Sequence, residues 1–212
     1  MKVIIFGAKG YMGQYFLSLY PDAVAPSVDI ADSRAVVDVL EEHKPDVVIN
    51  CAGKTGRPNV DWCETHKEET IHSNVLGPLV LIEECGKRDV YLVQIGTGCV
   101  YSGDSSKEFT ETDPPNFFGS FYSRSKGVID QLLNAFPVLN IRLRMPFDGT
   151  GSERNLINKI KKYDRLLDTE NSMTYIPDML SAVGQLIEKK ATGPYNIINP
   201  GAMTPYRIME LY

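Results

Sequence analysis

The sequence is poor in the residues that tie a fold together covalently. Among 212 residues there are four cysteines, Cys51, Cys63, Cys85 and Cys99, and no CxxC pair. That spacing excludes the paired-cysteine patterns of disulfide scaffolds and structural zinc sites. It predicts reduced thiols in a cytoplasmic setting, with no metal site. Basic residues are in deficit: 22 Lys and Arg stand against 27 Asp and Glu, a formal charge of −5. No global basic field exists to attract nucleic acid. No apolar run reaches the length that a bilayer span needs, so no membrane association is expected. The start, Met1–Gly7, carries one positive charge and a short apolar run that stops at glycine. It lacks the longer apolar stretch and cleavage site of a signal peptide and predicts a buried first strand. Internal repeats and low-complexity linkers are also lacking.

What is present is an ordinary globular composition, 43% hydrophobic and 23% charged, which argues against disorder. Strand-like and helix-like stretches alternate. Strands are expected at 2–6, 23–28 (weak), 46–50, 89–95 and 138–142. Helices are expected at 10–20, 33–43 with Asp32 or Ser33 as N-cap, 68–87 and 121–135. A polar loop is expected at 98–119. Runs such as Val3-Ile4-Ile5-Phe6 and Asp46-Val47-Val48-Ile49-Asn50 are apolar on both faces. They suit a parallel sheet covered by helices on each side, an α/β doubly wound fold. After Arg144 the pattern loosens: helices at 153–163 and 178–189, a strand at 193–199, and a last helix from about Pro205. The expected division is a sheet domain at 1–145 and a small C-terminal substrate lobe at 146–212.

The segment Gly7-Ala8-Lys9-Gly10-Tyr11-Met12-Gly13 fits GxxGxxG. It follows a strand and opens a helix. Glycines let a backbone approach a pyrophosphate, and the helix N-terminus offers unpaired N–H groups and a positive dipole. This makes the first domain a candidate Rossmann-type dinucleotide site. At the end of the weak second strand, Ala25, Pro26 and Ser27 stand where a carboxylate would select NAD. Without that carboxylate, and with Lys9 near, NADPH is the expected cofactor and NADH the alternative. Asp29 and Ile30 are expected near the adenine. Cys51, Ala52 and Gly53 follow a strand and are expected to line the cofactor.

Tyr122 and Lys126 form YxxxK, four residues apart on one helix face. An ammonium beside a phenol favours phenolate, so the pair suits proton transfer at a carbonyl oxygen. Thr97 closes the strand before the polar loop, on the sheet edge where such folds bind ligands. Together they read as a Thr–Tyr–Lys reductase triad.

Four stretches carry a family resemblance: Asn50-Cys51-Ala52-Gly53-Lys54-Thr55-Gly56-Arg57-Pro58-Asn59-Val60-Asp61-Trp62-Cys63-Glu64, Gly96-Thr97-Gly98-Cys99, Pro115 to Lys126, and Arg142-Leu143-Arg144-Met145-Pro146. With them the chain resembles, over essentially its whole length, the extended short-chain dehydrogenase/reductases. Within these it resembles the dTDP-4-dehydrorhamnose reductase family, and in particular nucleotide-rhamnose synthase/epimerase-reductases. Family members usually run several tens of residues further, so the lobe is expected to be incomplete, and the 101–115 loop looks short. The resemblance implies a nucleotide-linked 4-keto-6-deoxyhexose substrate. Hydride would reach C4, Tyr122 would protonate the oxygen, Thr97 would bond the same oxygen, and Lys126 would hold the nicotinamide ribose.

Rhamnose formation also inverts C3 and C5, which needs two acid/base groups. Cys99 stands where related GDP-fucose synthases place an epimerising cysteine. His43, His66 and His72 all precede the triad, so none matches the second group of those enzymes. The rhamnose synthases carry a lysine instead, here Lys159. Arg57, Arg144 and Arg154 are candidates for the diphosphate, and Asn155 for the sugar. Three readings follow: a bifunctional 3,5-epimerase/4-reductase, a 4-reductase alone, or a non-catalytic NADP-binding regulatory subunit. A homodimer through exposed helices is compatible with all three.

Overall fold

A computed structural model of the protein describes residues 1–103 and 108–212; part of the expected 98–119 loop lies outside the described residues. Five parallel strands form the central sheet: β1 (Val3–Phe6), β2 (Val47–Asn50), β3 (Tyr91–Thr97), β4 (Leu139–Leu143) and β7 (Gly193–Ile197), in the order β1-β2-β3-β4-β7. Alternate residues of each strand feed two cores, as the two-residue period of a strand requires. On one face Ile5, Ile49, Val93 and Ile141 pack with Phe16 of α1 (Tyr11–Leu19) and with Met179 and Val183 of α8 (Ile176–Glu188). On the other, Ile4, Val48 and Leu92 pack with Leu40 of α2 (Ser33–His43), Leu81 of α5 (Gly77–Gly86) and Ile129 of α6 (Phe121–Leu133).

The expected second strand is reduced to one parallel bridge, Val24 to Ile4. Val24 exchanges backbone bonds with Val3 and Ile5, and Pro26 two residues on has no N–H to continue the ladder. The chain therefore passes from β1 to Val24 on one side and returns to β2 on the other. Beside β1 the strand order reverses, the place where such sheets bind ligands. The expected N-cap of α2 is Asp32, whose carboxylate accepts from the Ala35 N–H at 3.1 Å.

The single helix expected at 68–87 is three pieces: α4 (Lys67–Ile71), a π turn (His72–Leu76) and α5. Pro78 cannot donate to the carbonyl four residues back, so the Gly77 N–H bonds His72 five residues back instead. The division at residue 145 also needs correction. Strand β7 pairs with β4 in the main sheet, and α8 is packed into its core. What stands apart is smaller: the two-stranded sheet of β5 (Pro146–Phe147) and β6 (Thr174–Tyr175), with α7 (Leu156–Ile160) and α9 (Pro205–Leu211). Helix α7 is shorter than expected because Asn155 caps it, its Oδ1 accepting from the Ile157 N–H. Among the described residues, no helix is long and apolar enough to cross a membrane.

Candidate active site

The glycine loop is built by close backbone contacts. Gly7 has φ +73°, and a Cβ there would lie 2.4 Å from the Ala52 nitrogen; a Cβ at Gly13 would lie 2.3 Å from the Gly7 oxygen. These two glycines press β1, α1 and the end of β2 together. Gly10 instead is exposed at the N-terminus of α1, where no side chain caps the first N–H groups. Gly53 is likewise exposed, and Ala52 and Cys51 are half-buried beside it. Burial pushes the Cys51 thiol well above its usual range, so it stays a neutral lining group. Tyr11 and Met12 turn toward the core below the loop, Tyr11 edge-on to Tyr15 at 5.3 Å. A narrow cradle of backbone, open at Gly10 and Gly53, fits a dinucleotide's pyrophosphate.

Lys9 Nζ donates to Ser27 Oγ at 3.4 Å, which links the glycine loop to the segment after Val24. Asp29 is exposed. It accepts from the Ala31 N–H and pairs with His72 Nε2 at 2.7 Å, and these bonds hold its carboxyl below the usual range. Ile30, which follows it, enters the core. It is 4% exposed, and its side chain fills the space over Gly77.

Helix α6 begins with its N–H groups secured. Ser120 Oγ accepts from the Ser123 N–H at 3.1 Å, and Glu64 Oε1 from the Phe121 N–H at 2.6 Å. Glu64 thus ties α3 (Trp62–Thr65) to the start of the helix that carries Tyr122 and Lys126. Asn74 in the π turn makes a second tie, bonding both the Lys54 N–H and C=O and reaching Ser125 Oγ at 3.5 Å. Neither Glu64 nor Asn74 was singled out by sequence reasoning for these contacts. Glu64 belongs to the Asn50–Glu64 stretch, whereas the π turn that aims Asn74 inward has only Pro78 as its sequence signal.

Tyr122 and Lys126 are both 8% exposed, and Thr97 is 6% exposed. Burial raises the Tyr122 pKa, the nearby Cys99 adds to the rise, and the Thr97 hydrogen bond and Arg144 oppose it. The phenol is therefore held protonated, a proton donor rather than a ready phenolate. Lys126 donates to the Ile95 carbonyl at 3.1 Å, and burial draws its own pKa down to about 8.

Cys99 is half-buried, its backbone N–H bonded to Thr97 Oγ1 at 3.1 Å. Arg144 Nη1 lies 2.8 Å from its Sγ, and Asn171 Oδ1 accepts from Nε and Nη2 of the same guanidinium. Arg144 is thus gathered with Cys99 at the Thr97–Tyr122 edge. Arg57 is exposed on the loop after β2, with no hydrogen bond or ion pair to the described residues. Arg154 Nη1 reaches Thr55 on that loop at 3.4 Å. Lys159 is half-buried in α7, where burial and then Arg154 lower its pKa. Among the described residues no hydrogen bond joins it to Thr97, Cys99 or Tyr122. Asn155 is 1% exposed, and its Nδ2 donates to Asp148 and to the Thr150 carbonyl. Both ends of its amide are used in the lobe's turn. Asp148 in turn accepts from the Tyr15 hydroxyl and ties the lobe to α1.

A glycine cradle at the strand-order reversal, with Thr97, Tyr122 and Lys126 on the same sheet edge, places the chain among Rossmann-type nucleotide-binding proteins. The family model for the RmlD substrate binding domain matches residues 1–207, and the chain belongs to that family. It is 40% identical over 191 residues to the bifunctional dTDP-4-dehydrorhamnose 3,5-epimerase/dTDP-4-dehydrorhamnose reductase of Arabidopsis thaliana, covering 86% of this chain and 64% of that protein. Against a trifunctional UDP-glucose 4,6-dehydratase/UDP-4-keto-6-deoxy-D-glucose 3,5-epimerase/UDP-4-keto-L-rhamnose-reductase of the same plant, identity is 36% over 224 residues, 100% of this chain and 34% of that one. The chain thus spans between a third and two thirds of these relatives. The crystal structure of the UDP-rhamnose synthase from Acanthamoeba polyphaga mimivirus superposes with a TM-score of 0.93 at 36% identity, covering 100% of this chain and 79% of that one. A Bacillus anthracis dTDP-4-dehydrorhamnose reductase in complex with NADP shares the fold, with a TM-score of 0.86 at 24% identity over 100% of this chain and 80% of that one.

Proposed function

We propose that the chain carries a 3,5-epimerase/4-reductase activity that turns a UDP- or dTDP-linked 4-keto-6-deoxyglucose into the nucleotide-linked L-rhamnose. The observation that carries this reading is the gathering of a thiol, a guanidinium and a protonated phenol at one edge: Cys99, Arg144 and Tyr122, with Thr97 between them. A simple ketone reductase needs the phenol and the hydroxyl; the thiol beside them is what epimerisation adds.

Gly7, Gly10 and Gly13 with the N-terminus of α1 hold the pyrophosphate of NADPH. Lys9 and Ser27 meet its ribose phosphate, Asp29 its adenine, and Lys126 its nicotinamide ribose. When bound, NADPH supplies the hydride that reaches C4 of the ketone. Thr97 and Tyr122 hydrogen-bond the C4 oxygen. In the epimerisation they hold the enolate oxygen that forms when a proton leaves C3 or C5. Cys99 exchanges that proton on one face and Lys159 on the other. In the reduction Tyr122 gives its proton to the C4 oxygen as the alcohol forms. Arg57 and Arg154 stand on the loop and lobe that face each other and bind the substrate diphosphate.

The test is to mix the purified protein with UDP- or dTDP-4-keto-6-deoxyglucose and NADPH and separate the products. A nucleotide-rhamnose made without another enzyme supports both activities. Rhamnose made only after a 3,5-epimerase is added leaves the 4-reductase alone and removes the roles given to Cys99 and Lys159.

A further inference from the structure

Gly96 lies on β3 just before Thr97. A Cβ there would lie 2.4 Å from Asn140 Oδ1, so the glycine is what admits the Asn140 side chain between β3, β4 and α6. Asn140 is 1% exposed. Its Nδ2 donates to Asp130 Oδ2 at 2.8 Å, which fixes the orientation of the amide. Oδ1 therefore points away from the carboxylate, and it has no hydrogen-bond partner among the described residues. A buried acceptor left in that condition is costly, and native proteins rarely leave one so. Beside it is a cavity of about 10 Å³ whose wall includes Lys126, Thr97, Asp130 and Asn140. That is about room for one water centre. Lys126 has three N–H donors and gives one to the Ile95 carbonyl.

Asp130, one turn beyond Lys126 on α6, has both oxygens committed to Arg142 of β4, at 2.6 Å to Nη2 and 2.8 Å to Nε. Lys126 and Arg142 both face that carboxylate, and Glu111 acts on Arg142 from its other side. The other elements packed here add neutral groups: α6 adds the protonated Tyr122, β3 adds Gln94, Thr97 and a carbonyl, and the π turn reaches α6 through Asn74 and Ser125.

We propose that this cavity binds one water molecule, which accepts from Lys126 Nζ and donates to Asn140 Oδ1, and that Asn140 is thereby a positioning residue for the lysine. The water completes the ammonium's hydrogen-bond shell from below and leaves its remaining donor for the site above. It also satisfies the asparagine oxygen that Gly96 makes room for.

Asn140→Asp and Asn140→Leu test this, read by heteronuclear NMR titration of the lysine ammonium groups in the protein without cofactor. Aspartate adds a negative charge beside the ammonium, and Lys126 is expected to titrate roughly one pH unit or more higher. Leucine removes the acceptor and fills the cavity, and Lys126 is expected to titrate lower than in the parent. The high-pH limb of ketone reduction is expected to move in the same directions. The titration needs no turnover, so its result stands apart from that of the proposed reaction. If both variants melt earlier while Lys126 titrates as before, Asn140 only packs the core and the proposal falls. A high-resolution crystal structure with the cavity dry overturns it equally, and that measurement with Asn140→Asp decides the matter if the leucine variant does not fold.

Discussion

Replacing Lys126 with methionine should change how stability depends on pH, by an amount that follows from its burial. The side chain is 8% exposed, and burial takes its pKa from 10.5 to about 8. Below about pH 8 the lysine is charged in both the folded and unfolded chain, and the fold bears the whole cost of burying that charge. Between 8 and 10.5 the native lysine gives up its proton while the unfolded one keeps it. The unfolded state then binds more protons, so stability rises with pH across this window and levels off above it. At about 1.4 kcal/mol per pH unit, the gap corresponds to about 3.5 kcal/mol. Methionine has nearly the same length and no charge, so Lys126→Met lacks this rise. Urea denaturation of both proteins in steps from about pH 7 to 11 gives the difference, in which the other titrating groups cancel. The parent should gain on the variant by about 3.5 kcal/mol as pH rises. A difference that stays flat, or one that moves the other way, would refute the claim that the ammonium is held in a desolvated pocket.

Other outcomes follow from single contacts. Tyr122→Phe should lower ketone reduction by about a hundredfold or more while NADPH still binds, read by initial rates and cofactor titration. Cys99→Ala should abolish rhamnose formation from the glucose-configured ketone yet spare reduction of an already epimerised substrate; if full conversion persists, the thiol has no part in it. Asp130→Ala leaves Arg142, 1% exposed, without its carboxylate and should cost on the order of 3–5 kcal/mol in chemical denaturation. Lys9→Glu should weaken NADPH binding by roughly tenfold or more and leave NADH nearly unchanged, measured by fluorescence titration.

Local patterns in the sequence determined much of the frame. Apolar strand runs with polar helices between them specify a parallel sheet covered on both faces, and GxxGxxG directly after the first strand specifies its turn, because Gly7 and Gly13 admit no Cβ. Asp32 was legible as a cap for the same reason: its effect is confined to one helical turn. What lay beyond reach depended on contacts between distant segments. The pattern 193–199 reads as a strand, but only pairing with β4 makes it part of the main sheet. Asn155 and Asp148 sit in a stretch with no motif, and their amide–carboxylate contact forms only when the turn closes. Arg144 reads from sequence only as a cation, and its contacts with Asn171 and Cys99 form only in the folded chain. YxxxK spacing places a phenol and an ammonium on one helix face, but spacing cannot report solvent. Burial in the tertiary structure decides that Tyr122 keeps its proton and that Lys126 holds its own weakly. The chain's order thus sets which groups can meet, and exclusion of water, a property of the whole packed fold, sets the charge each carries when they do.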